Sequence, residues 1–174
     1  MIYNYFNHWV SSWNKRGKTK LIIEEVQNRF KNKELFYILA GDEIKPDYII
    51  YYQHDLIVIK KLNNNLDSIL EMYYTINNDE FFLSSVIIHE YDLNNAKIKQ
   101  SVTFFATIKD YNEGDHIREI LEKPLYKIFD YKTEKEESWE NLNVTDKETL
   151  FRKYPKFWDW DWLIDDIESM EKAI

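Results

Sequence analysis

The feature that most narrows what this chain can fold into is a two-residue alternation near its middle. Between Lys97 and Lys109, the side chains of Ile98, Val102, Phe104, Ala106 and Ile108 share one side, while Lys97, Lys99, Ser101, Thr103 and Thr107 share the other. An extended strand sends successive side chains to opposite faces, so this segment reads as a strand with one buried and one wet face. A second apolar run, Phe81 to Tyr91, reaches it through the turn formers Asp92-Leu93-Asn94-Asn95. Together they predict a hairpin in an antiparallel sheet covered on one side. A second hairpin is expected upstream, where Tyr48 to Tyr52 and Leu56 to Lys60 flank Gln53-His54-Asp55. One more strand, Leu35 to Ala40, ends at Gly41-Asp42.

Elsewhere the apolar spacing fits a helix. Ile2, Tyr5, Phe6, Trp9, Val10 and Trp13 form one stripe, and Ile22, Val26 and Phe30 continue it as a second helix after Arg16-Gly17-Lys18. Asn63-Asn64-Asn65 offers a cap for a helix bearing Leu66, Ile69, Leu70, Tyr73 and Ile76. Asp115 can cap another with Ile117, Ile120 and Leu121, which Pro124 should kink or restart toward Leu125, Ile128 and Phe129. Residues 131 to 143 read as a polar loop around Trp139. Thr145-Asp146-Lys147-Glu148 is a capping box for a short helix through Phe151, and a last helix starts near Trp158. The expectation is an α+β fold. It is one domain over residues 1–174, with a central, mostly antiparallel sheet of about five strands and N- and C-terminal helices packed largely on one face.

Composition closes off several kinds of chemistry. The absence of cysteine removes disulfides, thiolate metal sites and a cysteine nucleophile, and suits a reducing compartment. Three glycines leave no glycine-rich loop to cradle phosphates, and Gly17-Lys18-Thr19 lacks the earlier glycine of a P-loop because Ser12 stands there. His8, His54, His89 and His116 show no metal-ligating spacing, and Ser11-Ser12 and Ser84-Ser85 lack a nucleophile-elbow setting. No signal-peptide pattern opens the sequence and no apolar stretch has the length of a membrane span, so the expected location is the cytoplasm.

Charge supplies the functional signal. Twenty-three basic against 31 acidic residues give a net charge of −8. Residues 1 to 33 carry +5 and residues 134 to 174 carry −6. A mostly acidic surface repels phosphate backbones and attracts a basic protein. From Phe157 to Glu171 there are six acids and no base. On a helix, Trp160, Leu163, Ile164, Ile167, Met170 and Ile174 make the core stripe. Trp158 and Trp162 then fall opposite, beside Asp165, Asp166 and Ser169, with Asp159, Asp161 and Glu168 bordering the stripe. Indoles ringed by carboxylates are what an interface anchor needs. Glu134, Glu136, Glu137 and Glu140 around Trp139 repeat the theme, and a plain solvated loop is the competing account. Asp161 and Asp165, one turn apart, are the best candidates for an ion, but that reading leaves the tryptophans unexplained.

The sequence thus points to a non-enzymatic binding protein with no cofactor and no metal. By analogy with a functional class that is small, acidic and motif-free, it would be an immunity or antitoxin-type inhibitor of a basic bacterial toxin such as a nuclease. Its expected partner is that basic protein, not nucleic acid or membrane. Two rival readings remain: a phage or mobile-element nucleic-acid mimic, and an enzyme whose Asp, Glu and His residues assemble from distant positions.

Overall fold

A computed structural model describes residues 1–7, 9–10, 15–16, 19–53, 56–77, 80–110, 116–140, 150–152 and 159–173. The strands are β1 (Tyr3–Phe6), β2 (Trp9–Val10), β3 (Lys15–Arg16), β4 (Phe36–Gly41), β5 (Pro46–Gln53), β6 (Leu56–Leu62) and β7 (Ser68–Asn77). They continue with β8 (Glu80–Tyr91), β9 (Lys97–Asp110), β10 (His116–Asp130), β11 (Lys135–Glu140) and β12 (Phe151–Arg152). The helices are α1 (Ile23–Lys31) and α2 (Asp161–Ala173). Among the described residues, nine strands follow one another in an antiparallel sheet, ordered β1-β4-β5-β6-β7-β8-β9-β10-β11, with β12 on β8 and a separate β2-β3 pair.

This overturns the expected α+β fold of about five strands with helices on one face. Three segments that carry a helical spacing are strands instead: residues 3–6, 68–77 and 116–130. In β7 the decisive pattern is Leu70, Met72 and Tyr74, all buried at a spacing of two. It overlaps the helical stripe, and β-branched and aromatic residues tip the balance toward the sheet. Asn63 does the chemistry expected of it, but in a turn. Its side-chain oxygen accepts from the backbone N–H groups of Asn65 (2.8 Å) and Asp67 (3.0 Å). The same short amide serves a helix cap or an Asx turn equally well. The segment expected as a loop around Trp139 is a turn followed by β11. The proposed capping box at residues 145–148 lies outside the described residues, and Phe151 stands in β12. The strand Leu35 to Ala40, both hairpins and the helices at Val26 and Leu163 are where the spacing puts them.

The chain divides into two compact units, residues 1–71 with 155–174, and residues 72–154. In the first, cross-strand rows place Tyr5, Ile38, Ile50 and Ile59 on one face. Trp160, just before α2, is wholly buried there. Its ring meets those of Phe30 at 6.1 Å, Phe36 at 6.3 Å and Tyr52 at 6.3 Å, each near edge-to-face. The opposite face holds a cluster of Phe6, Leu39, Ile49, Leu62 and Leu66. Burial on both faces explains why β4 and β5 read as continuous apolar runs.

In the second unit, β8, β9, β10 and β11 pair in antiparallel order. Ser85, Phe104, Leu125 and Glu140 stand opposite one another in a row, as do Ile87, Val102, Lys127 and Ser138. The register shifts between Glu90 and Tyr91 at the end of β8, and by more between Ile120 and Leu125 of β10. Four residues, Leu121 to Pro124, there oppose the single Phe105 that separates Ala106 from Phe104. Proline has no N–H for the ladder, and a bulge is one of the few strand positions that tolerates it.

Because Trp160 packs against one helix and two strands, Trp160→Ala should cost about 3–5 kcal/mol in urea unfolding. A loss below about 1 kcal/mol would show that the aromatic cluster does not hold the first unit together.

Candidate functional site

The α2 helix orders its acids by face. Leu163 and Ile167 are wholly buried and Ile164 nearly so, which fixes the helix rotation. Three carboxylates then reach the sheet of the same unit. Asp161 accepts from the Tyr3 hydroxyl, Glu168 from the Tyr48 hydroxyl at 2.8 Å, and Glu171 pairs with the Lys61 ammonium. These acids clamp the helix. Asp159 and Asp165 are exposed, and Asp166 and Trp162 are half-buried. Trp162, Asp165, Asp166 and Ser169 fall on the side of the helix away from its buried stripe, but the Trp162 side chain is half-buried and its indole Nε1 is shielded from solvent. Trp158 lies outside the described residues, and the helix begins at Asp161.

The β11 cluster is arranged differently from a ring of carboxylates about an indole. Strand alternation puts Glu136, Ser138 and Glu140 on one face and Glu137 and Trp139 on the other. Glu136 pairs with Lys127 at 3.2 Å on the first face. On the second, Trp139 lies parallel to Tyr126 opposite it, with ring centroids 6.0 Å apart and planes 11° from parallel. Trp139 remains 46% exposed. All six residues of β11 are exposed, so no apolar alternation marks this strand in the sequence. Its readable signal is the turn before it. Asp130 accepts from the backbone N–H groups of Lys132 (2.8 Å) and Thr133 (2.9 Å), and Glu134 takes a left-handed φ of 54°. The Thr133 bond, followed by the Lys132 bond, lowers the Asp130 carboxyl pKa below its usual range.

Basic groups of the N-terminal third have structural uses. Lys20 donates to Asn4 (2.8 Å) and pairs with Glu43 (3.0 Å), while Arg29 donates to the Leu35 carbonyl at 2.7 Å. His89 is buried on β8, and His8 and His54 lie outside the described residues. Among the described residues, no group of three or more His, Asp or Glu side chains is placed to hold a metal ion. No helix among them is long and apolar enough to cross a membrane. No family model matches the chain, and neither a curated protein nor a solved structure matches it.

The clamp on α2 has a pH signature. Burial, then the hydrogen bonds to Asp161 and Glu168, push the Tyr3 and Tyr48 phenols well above their ordinary range. A group whose pKa rises on folding stabilises the fold fully below its unfolded value, here about 10, and loses that contribution as pH climbs through the folded value. Tyr48→Phe should therefore lower stability at neutral pH by about 1–2 kcal/mol. It should also make the decline of stability above pH ~10 shallower. Parallel wild-type and variant curves in urea unfolding against pH would contradict the clamp.

Proposed function

We propose that this chain is a non-enzymatic cytosolic inhibitor that covers the active or nucleic-acid-binding surface of a basic protein, in the manner of an immunity protein paired with a bacterial toxin. The observation that carries this reading is Trp139, a large indole left nearly half exposed and backed by Tyr126 on an acidic edge strand. The stacked phenol holds the indole rigid, so little side-chain entropy is lost when a partner docks. A guanidinium can lie on the indole face while pairing with Glu137, which shares that side of β11. The net charge of −8 adds long-range attraction for a cationic partner. A toxin that holds nucleic-acid phosphates with Arg and Lys offers that chemistry, and occupying those side chains would block it.

Asp165 and Trp162 on the outward side of α2 are the subsidiary contact candidates, with Asp159 and Asp166 beside them. The engagement of Asp161, Glu168 and Glu171 with Tyr3, Tyr48 and Lys61 favours this reading over a nucleic-acid mimic, which would need its carboxylates in open rows.

The test uses the protein encoded beside this chain, since inhibitors of this kind are commonly paired with their targets. Expressed alone it should be toxic, and co-expression of this chain should restore growth. Trp139→Ala with Glu137→Ala should leave the fold intact and weaken binding by at least about 30-fold, the loss typical of an interface hot spot. Added salt should act mainly by slowing association. Full protection by the double variant, or a harmless and unbound neighbour, would overturn the proposal.

A further inference from the structure

The bulge in β10 creates a second feature, independent of the Trp139 face. Beside it, within the second unit, lies a half-open cavity of about 560 Å³. That volume falls inside the range of about 300–1,000 Å³ occupied by small-molecule sites. Its floor is the cross-strand row Ser85, Phe104, Leu125 and Glu140, extended by Ala106 two residues along β9. Leu121 and Lys123, both in the register break, complete it on one side, and Tyr73 of β7 also lines it. The cavity therefore sits on the face of β11 opposite to Trp139.

Its chemistry is that of a site for an amphipathic ligand. Phe104, Ala106, Leu121 and Leu125 supply a continuous apolar surface. The polar groups around it have unequal freedom to meet a ligand. Ser84 already donates its hydroxyl to the Tyr73 carbonyl at 2.9 Å, and Lys127 is paired with Glu136. Lys123 is exposed, carries no ion pair among the described residues, and its position in the bulge turns it toward the cavity. Glu140, at the edge-strand end of the row, repels a negative group from that end and so favours the Lys123 end for it.

We propose that this cavity binds a small amphipathic monoanion, an apolar chain or ring bearing one carboxylate or sulfonate, with the apolar body on Phe104 and Leu125 and the anion at Lys123. The bulge is what makes the site. Without the three extra residues, β10 would pair with β9 throughout, and Lys123 would take a place in the ladder.

The experiment titrates anilinonaphthalene sulfonate into the folded full-length chain and displaces it with decanoate or with decanol. One saturable site should appear, emptied by decanoate. Lys123→Ala should weaken decanoate by about fivefold, the scale of one partly screened ion pair, and leave decanol unchanged. Ala106→Trp, which fills the floor, should abolish binding of all three probes; Lys123→Ala tests the site separately should that variant fail to fold. Retention of the dye with unchanged affinity in a folded Ala106→Trp chain would overturn the proposal. So would an equal loss of decanoate and decanol in Lys123→Ala. Neither probe depends on a protein partner, so this result stands or falls apart from the inhibitor reading.

Discussion

The pairing of β10 with β9 is the constraint on which the second unit depends. Because a strand's side chains alternate strictly, the register beyond the bulge assigns each residue from Leu125 to Asp130 to a face, and through the pairing with β11 each residue from Lys135 to Glu140. It sends Tyr126 and Trp139 to one side and Leu125, Lys127 and Glu140 to the other. A slip of one residue would part Tyr126 from Trp139 and take Leu125 out of its row with Phe104 and Glu140. The register is held on both sides of the bulge, and the Asp130 turn secures its far end through two backbone hydrogen bonds.

The first unit rests on a different device. A single indole, Trp160, brings Phe30 of α1 and the strand aromatics Phe36 and Tyr52 into one cluster, and α2 then runs across the sheet. The acids of α2 divide their labour accordingly. Those nearest the sheet accept hydrogen bonds from tyrosines or pair with lysine, while Asp165 on the far side is exposed. An acidic helix can thus be partly structural even where its composition suggests a contact surface. Surface ion pairs such as Lys61–Glu171 add little by themselves, so the apolar stripe of α2 carries most of its attachment.

What could be read from the sequence follows from where two periodicities differ. The hairpin of Phe81 to Lys109 was legible because its return strand alternates apolar and polar residues along most of its length, and α2 because its stripe spans three turns between charged flanks. Ser68 to Asn77 and His116 to Asp130 were not legible as strands. Each carries apolar residues dense enough to match a helical stripe, and long-range pairing, which no local pattern reports, decides between the two. The edge strand β11 has no apolar pattern at all, and charged residues there are what keeps an open edge from aggregating. The sequence marks Trp139 as an indole among acids, but its stacking partner Tyr126 and the separation of Glu137 from Glu136 and Glu140 follow only from the register. The cavity beside Lys123 had one visible signal, Pro124, whose missing N–H marks a break in whatever element contains it.

The most direct test of this account is the set of cross-strand proton contacts seen by nuclear magnetic resonance in the second unit. The account predicts that backbone protons of Leu125 lie close to those of both Phe104 and Glu140, and that Tyr126 ring protons contact the Trp139 indole. A ladder of contacts three and four residues apart through residues 116–130, the mark of a helix, would contradict it and remove both the exposed indole face and the cavity.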